Sequence, residues 1–598
     1  MRANSYRTHT CGELRTEHAG APARLSGWIH SVRDHRGVVF LSLRDHYGQT
    51  QVVFDDEHPD ARDIARHQHH ETVVRIEGEV RLRPEGTDNA ALETGAVEVH
   101  ARSIDVLSTA DSIPFQVSRD DGVHEDLRLT YRFLDLRRER MQRNLRMRAR
   151  VVSFIRSFME RSGFLEVHTP ILANSSPEGA RDYLVPSRVH PGTFYALPQA
   201  PQQFKQLLMV SGVDRYYQIA PCFRDEDARA DRSPGEFYQL DLEMAFAEQE
   251  DVFAAVEPLM IALTEEVGGK RVMTTPFPRL TYHESLERYG NDKPDMRFGM
   301  EIADLTDVFA DSEFSTFAKA ARGGGGVRAI AVPGAASWTR SAIKKFEDRA
   351  KALGAGGLVV VGFDEKSTYG QGFAKFFSTG EIEAMVGRTG AGKGDLVWVC
   401  ASARSLEASR VLGVLRVEAA DVLGLRDPDV LAWGWITDFP MFERDEATGK
   451  IDFSHNPFSM PKGGLDALNT MDPVEISANQ YDIFCNGLEL SSGAVRNYDP
   501  ETMYRAFEIA GYERSEVDAR FGHMIAAFRF GAPPHAGIAP GIERIVMLLA
   551  GEPNLREVVP FPKNQHCRDL MLGAPSAVPE AHLAELHIAL VPPDPATD

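Results

Sequence analysis

Cysteine is scarce in this chain. Cys11, Cys222, Cys400, Cys485 and Cys567 are spread through 598 residues with more than 80 positions between neighbours, so neither a Cys-x-x-Cys pair nor a disulfide framework can be read. A reducing compartment fits. Without partner cysteines, His67, His69 and His70 make no zinc pattern; they read as surface, and no zinc is expected. Long apolar runs are also missing. Met1 to Arg7 lacks the apolar core of a signal peptide, and stretches such as Leu358 to Phe363 are too short to span a bilayer, so a cytoplasmic protein without membrane contact is expected. Positive charge is in deficit, with 66 Lys plus Arg against 87 Asp plus Glu and a net charge of −21. A polyanionic partner must therefore meet a local basic surface. No P-loop occurs, and Gly323 to Gly326 follows Ala320-Ala321-Arg322 rather than a strand, so a nucleotide, if used, is held another way.

What is present is ordinary globular material, 43% hydrophobic and 26% charged, long enough for several domains. From about residue 22 to 107, apolar and polar residues alternate in short runs: Leu25 to Ile29, Val38 to Leu43, Gln51 to Phe54, Thr72 to Val80 and Val97 to Val106. Five short strands suit a small barrel of the OB type, which commonly holds single-stranded nucleic acid. Residues 110 to 135 read as a linker. Glu139 to Arg161 reads as a helix with apolar Leu145, Val151, Val152, Ile155, Phe158 and Met159 on one side. Its many arginines could touch phosphates, although a solvated face is the favoured reading. Arg215 to Cys222 and Phe237 to Phe246 read as strands joined by a charged loop. Residues 295 to 425 have the texture of an inserted domain. Gly537 to Ala550 reads as a turn entering an apolar helix.

Two guanidiniums stand at element ends, Arg224 where a strand finishes and Arg544 where the last apolar helix begins. Arg presents a fork of donors that fits phosphate oxygens, and two forks on opposite sides could clamp a nucleotide triphosphate. Asp482 and Glu489 stand seven apart in an aromatic, apolar stretch. Paired carboxylates beside a phosphate site suggest magnesium; equally, the two could salt-bridge the arginines.

These residues also carry a resemblance. Phe164-Leu165-Glu166-Val167-His168-Thr169-Pro170, then Phe223-Arg224-Asp225-Glu226 with Phe237 to Glu243, then Gly537-Ile538-Ala539-Pro540-Gly541-Ile542-Glu543-Arg544 resemble, in order, the three signature motifs of class II aminoacyl-tRNA synthetases. Ser176 to Arg188 and Ala196 to Leu208 are similar to the bacterial aspartyl-tRNA synthetase family, and the similarity covers nearly the whole chain. It implies a multidomain α+β protein. Residues 1–110 would form an OB-fold β-barrel that binds the anticodon, and 111–138 a hinge. An antiparallel-sheet catalytic domain would be split into 139–290 and 426–575 around an inserted bacterial-type, GAD-like α+β domain at 291–425, with 576–598 as a C-terminal extension. The first motif would build a homodimer interface.

The implied activity is aspartate–tRNA ligation, with ATP, L-aspartate and the aspartate tRNA as substrates and magnesium as cofactor. The resemblance assigns Arg224 to the α-phosphate and Arg544 to the γ-phosphate side of a bent ATP, as the two catalytic residues. Asp225, Glu226, Glu489, Gly541, Ile542 and Glu543 would line the nucleotide, with Glu226 at the adenine end. Asp482 and Glu489 match the magnesium-binding carboxylates. Lys205 and Arg496 correspond to the cations that take the aspartate side chain, and Glu178, Gln202, Asp241 and His455 to residues that hold the rest of it. A site built on such charge-assisted bonds would reject asparagine by roughly 10⁴. In the barrel, Phe40 falls where the family stacks an anticodon base; without the resemblance it would read as a core residue. Arg33, Gln51 and Glu98 match positions that contact anticodon edges. His35 and Gly86 resemble the variant that charges the asparagine tRNA as well. Departures include a longer second-motif loop around Ser233, Ser491-Ser492 in place of a glycine-rich run, Ala200 for a frequent serine, and Glu543 for a common aspartate. A synthetase for asparagine or lysine would share the barrel and motifs but not need the same cation pair. A non-catalytic RNA-binding derivative would have lost some of Lys205, Arg224, Arg496 and Arg544.

Overall fold

The computed structural model describes residues 3–119, 122–175, 180–226, 230, 235–362, 371–445 and 447–591. The chain divides into two compact units, one of Met1–Arg146 with Arg568–Ala574 and one of Met147–Cys567 with Pro575–Asp598.

In the first unit, β1 (Pro22–His35), β2 (Val38–Arg44), β3 (Gln49–Phe54), β4 (Val73–Leu82) and β5 (Val97–Ser108) close a barrel in the order β1-β2-β3-β5-β4. Alternate residues such as Leu25, Ile29, Val39, Leu41, Leu43, Val52 and Phe54 fill its interior, as period-two patterning requires. β1 runs further than its apolar pattern suggests. Its polar end still pairs with β2, Arg33 opposite Phe40 and His35 opposite Val38. The two-residue turn between them uses Arg36 and Gly37, both at positive φ, as a tight hairpin demands. The expected linker is not featureless, because Glu125–Thr130 and Arg132–Asp135 are helical. Arg128, Arg132 and Arg138 converge there on the buried carboxylate of Asp135.

The second unit is built on an eight-stranded sheet. Its strands are β6 (Leu165–Glu166), β7 (Arg215–Arg224), β8 (Gly235–Ala245), β9 (Arg279–Thr281), β10 (Trp433–Thr437), β11 (Gln480–Cys485), β12 (Leu488–Val495) and β13 (His535–Ile538), in the order β9-β10-β11-β12-β13-β8-β7-β6. The six central strands are antiparallel, and only β6 and β9 at the edges pair in parallel. The helix α1 (Glu139–Arg161) presents Val151, Ile155 and Met159, one turn apart, to the core of this sheet. Its arginines do not form a simple solvated face. Arg148 pairs with the buried Glu543 at 2.7 Å and lies over the ring of Tyr238.

Between β9 and β10 lies a separate antiparallel sheet of Ala303–Asp304, Gly326–Val332, Leu396–Ser402, Val359–Gly362 and Gln371–Gly372, in that spatial order. It has cores of its own, one of which packs Trp398 and Ile330 against Leu412 and Leu415 of the helix Ser405–Leu423. Among the described residues, no helix is long and apolar enough to cross a membrane.

Candidate active site

β8 explains how the sheet makes a site. In Phe237-Tyr238-Gln239-Leu240-Asp241-Leu242-Glu243-Met244, the even-numbered Leu240, Leu242 and Met244 enter the core, and alternation turns the odd-numbered residues to the opposite face. Phe237, Gln239 and Asp241 there line a cavity of about 570 Å³, a size suited to a small-molecule site. The helix α2 (Gln202–Val210) covers one flank with an inverted pattern. Its buried residues are Gln202, Lys205, Gln206 and Met209, so helical spacing directs polar groups inward.

At one end of the cavity, four charges are buried together. Lys205 Nζ lies 2.8 Å from Asp241 Oδ2 and 3.4 Å from Glu243 Oε2, while Arg496 donates to Glu243 through Nε at 2.8 Å and Nη2 at 3.2 Å. The cluster is neutral in sum. Burial alone would raise both carboxyls. For Glu243 the Arg496 guanidinium and Lys205 ammonium outweigh it and hold the carboxyl below its ordinary range, whereas Asp241 stays raised despite Lys205. Glu243 has space only because Gly537 faces it: a Cβ there would lie 2.1 Å from Glu243 Oε2. Behind the cluster, His535 Nδ1 sits 2.8 Å from the Pro533 carbonyl and Nε2 3.1 Å from the Gln206 amide nitrogen. This assigns the proton to Nδ1, with Nε2 accepting. Gln206 in turn accepts from Gln202 at 3.1 Å.

The other end holds Arg224, Glu226, Glu489, Gly541, Glu543 and Arg544. Arg224 ends β7, and its guanidinium lies over the Phe237 ring. Arg544, in the first turn of the helix Ile542–Ala550, stands 3.7 Å from Glu489 Oε1. Asp482 and Glu489 share a face through a β-bulge: Ile483 pairs with Ser491 and Phe484 with Glu489, so β12 gains a residue at Leu490. Asp482 is 5% exposed, and its Oδ1 has no hydrogen-bond partner. Burial, reinforced by Glu489, pushes its carboxyl well above the usual range. Glu489 pairs with cations, as the salt-bridge alternative supposed, but Asp482 pairs with none among the described residues. An orphaned buried carboxylate oxygen beside a second carboxylate fits magnesium. Among the described residues no three His, Cys, Asp or Glu side chains converge on a metal position. Arg224 Nε and Asp241 Oδ1 are likewise buried without hydrogen-bond partners, one a donor suited to an anion and the other an acceptor suited to a cation.

His455 lines the cavity, and burial lowers its pKa, so the ring is neutral near pH 7. The expected nucleotide residues occupy different positions. The Ile542 side chain is in the apolar core, Asp225 is not among the residues lining the cavity, and Glu543, which lines it, also pairs with Arg148 and accepts from the Tyr238 backbone N–H at 3.0 Å. Glu178 and Ser233 lie outside the described residues. Residues absent from the expected set are Glu243, Gln239, Gln206, His535 and Lys293. For Glu243 and Gln239 the signal was the period-two pattern through Asp241, and for Gln206 the helical spacing from Gln202.

The barrel brings its expected contacts onto one outer patch. Arg33 Nη2 donates to Gln51 Oε1 at 3.4 Å, Gln51 Nε2 donates to Glu98 Oε2 at 2.8 Å, and Phe40 pairs across from Arg33. Phe40 is half-buried and outside the barrel core, so the core reading fails. Arg33 is exposed, while Glu98 is only 6% exposed. His35 is exposed at the β1–β2 turn, and Gly86 sits at φ +81 in the β4–β5 loop with open space around it.

Comparison with known proteins agrees with this architecture. Residues 124–565 match the family described as tRNA synthetases class II (D, K and N), and residues 23–107 match the OB-fold nucleic acid binding domain of the anticodon type. The chain is 55% identical over 594 residues to an aspartate–tRNA(Asp/Asn) ligase of Acidiphilium cryptum, covering 99% of each chain. It is 53% identical over 590 residues to an aspartate–tRNA ligase of Streptomyces avermitilis, again covering 99% of each. Among solved structures, an aspartyl-tRNA synthetase from Entamoeba histolytica shares the fold at a TM-score of 0.56 and 20% identity, covering 92% of this chain and 89% of that one. The chain belongs to the class II tRNA synthetases of the D, K and N group, and within them to the aspartate–tRNA ligases.

Proposed function

We propose that this protein activates L-aspartate with ATP and transfers it to the 3′ end of the aspartate tRNA and, by relaxed anticodon discrimination, of the asparagine tRNA. The observation that carries the reading is the buried pair Lys205 and Arg496, held by Asp241 and Glu243 at the end of a cavity that also contains Arg224 and Arg544. Aspartate brings two carboxylates and an ammonium. Its side-chain carboxylate takes Lys205 and Arg496, and its ammonium takes the unsatisfied oxygen of Asp241, with Glu178, Gln202 and His455 completing the contacts. A neutral amide would offer these two cations no charge-assisted bond beyond those they already make with Asp241 and Glu243.

The α-carboxylate attacks the α-phosphorus, and the bond to the bridging oxygen breaks, so pyrophosphate leaves with the electron pair. Arg224 stabilises the charge that develops on the α-phosphate, and Arg544 holds the γ end, so catalysis is positioning and electrostatics. The terminal ribose hydroxyl of the tRNA then attacks the carbonyl carbon of the anhydride, the bond to the phosphate oxygen breaks, and AMP leaves with the hydroxyl proton passing to its phosphate or to water, so no protein side chain is required as an obligatory base. Magnesium, when bound through Asp482 and Glu489, would supply charge neutralisation at the phosphates. Glu226 and Gly541 face the nucleotide. Phe40 stacks on an anticodon base with Arg33, Gln51 and Glu98 at its rim, the usual way a splayed RNA loop is read. His35 and Gly86 support relaxed discrimination, as does the similarity to relatives named for both tRNAs. The enzyme works as a cytoplasmic homodimer. Aspartate-dependent exchange of pyrophosphate into ATP tests the first step, and its absence would reject the reading in favour of a non-catalytic RNA-binding protein. Charging of both tRNA transcripts tests the second, and activity confined to the aspartate tRNA would reject relaxed discrimination.

A further inference from the structure

The segment that leaves the catalytic sheet toward the inserted sheet reads Asn291-Asp292-Lys293-Pro294-Asp295, and its lysine reaches the phosphate end of the cavity. Lys293 Nζ lies 3.6 Å from Glu489 Oε2 and 3.7 Å from Asp292 Oδ1, with the side chain 41% exposed. Glu489 therefore faces two cations, Lys293 and Arg544, while the adjacent Asp482 oxygen has no hydrogen-bond partner. An ammonium on a four-carbon stem can change partners at small cost, unlike a guanidinium held in a fork.

The backbone beneath this lysine is pinned. Asp295 is 1% exposed and paired with Arg297 at 2.6 Å and Arg426 at 3.0 Å. The fully buried guanidinium of Arg416 donates to the carbonyls of Asp295 at 3.1 Å, Gly299 at 3.0 Å and Met300 at 3.3 Å. Its face lies over Phe298. On the other side, Gly487, at φ +86 in the turn between β11 and β12, faces this segment, and a Cβ there would stand in ordinary contact 3.7 Å from Asp295 Cβ. That hairpin carries Asp482 on one strand and Glu489 on the other. Arg416 lies in the helix that packs the inserted sheet, and Arg426 just beyond it.

We propose that Lys293 is a further residue of the nucleotide site. It is the counter-cation of Glu489 before nucleotide arrives, and it transfers to the β- and γ-phosphate oxygens when a divalent cation takes the carboxylates. Arg416 and Arg426 are positioning residues that hold it there. Lys293 meets the charge that pyrophosphate gains when the α–β bridging bond breaks, and so favours the leaving group. The inference rests on the proposed aspartate activation, and it gives Arg416 of the inserted region and Arg426 just beyond it a role in the chemistry without touching substrate.

The test uses full-length Lys293→Met and Lys293→Arg proteins, with magnesium alone and inorganic pyrophosphate as calorimetric probes. Removing the competing ammonium is expected to tighten magnesium binding about tenfold and weaken pyrophosphate binding by at least about tenfold. The KM for ATP in the exchange reaction should rise while the KM for aspartate holds, and Lys293→Arg should restore pyrophosphate binding. Arg426→Gln, which leaves the lysine in place, should reproduce part of the pyrophosphate loss. Unchanged magnesium and pyrophosphate affinities in Lys293→Met would overturn the proposal. So would a loss shared equally by ATP and aspartate, which would mark a general structural role. Absence of aspartate-dependent exchange in the unmodified protein would instead defeat the activity reading, with the two binding measurements still deciding the role of Lys293.

Discussion

Replacing Gly537 by alanine puts one methyl group where the structure has no space. The new Cβ would lie 2.1 Å from Glu243 Oε2 and 2.2 Å from the Leu242 carbonyl oxygen, both on the strand paired with Gly537. Either β13 moves away from β8 or the Glu243 carboxylate turns aside. Overpacking of this kind costs about 1–3 kcal/mol of stability. A displaced Glu243 also loosens its two hydrogen bonds to Arg496, each charge-assisted bond contributing roughly 1.5–3 kcal/mol. If one such bond is lost from the geometry that receives aspartate, kcat/KM for that substrate falls about 10- to 100-fold. The nucleotide end does not touch Gly537, so KM for ATP should stay within about twofold at this precision. Urea denaturation and exchange kinetics with each substrate varied in turn read both effects. Wild-type stability together with an unchanged aspartate KM would refute the packing argument, and equal losses for ATP and aspartate would refute its assignment to the amino-acid end.

Asp482→Asn removes a carboxyl whose pKa burial and Glu489 hold well above the ordinary range. Such a group costs nothing below the unfolded pKa and destabilises progressively as pH rises toward the folded one. The variant should therefore unfold at higher temperature than the parent in magnesium-free buffer, with a larger gain at pH 8 than at pH 4, while exchange activity is lost. In the barrel, Phe40→Ala should leave exchange untouched and lower kcat/KM for tRNA charging about 10- to 100-fold, the size of one base-stacking contact. His100 is raised above its usual pKa by its hydrogen bond to Glu98, and that carboxyl is lowered although burial opposes it. The pair's contribution from the imidazolium is complete below pH 6.5 and is lost as pH rises through the folded value, so a nuclear magnetic resonance titration should place His100 above 6.5.

Most of the fold was legible because its elements obey simple periods. The barrel strands alternate apolar and polar residues, and α1 begins and ends where its apolar spacing and Gly163 say it should. Legibility failed where polar residues do structural work. Arg148 read as solvent-facing but is the partner of Glu543, and the linker hid two helical turns organised by the buried Asp135. At the site, the resemblance supplied the residues and the geometry separated their positions. Lys205, Asp241 and Arg496 converge, the Ile542 side chain enters the core, and Glu543 lines the cavity while also pairing with Arg148 of α1. The bulge that turns Glu489 toward Asp482 follows from strand register, which the spacing of seven residues does not encode. Lys293 escaped notice because nothing local distinguishes one lysine in a loop from a surface charge.

On the proposed reading, a buried cation pair selects a dicarboxylic amino acid beside ATP. Exchange kinetics of the Arg496→Leu protein, shown by thermal unfolding to remain folded, test it most directly. Loss of the guanidinium should reduce kcat/KM for aspartate by about 10³-fold, since removing one partner of a buried pair costs roughly 3–5 kcal/mol. Aspartate activation at the parental rate would contradict the account.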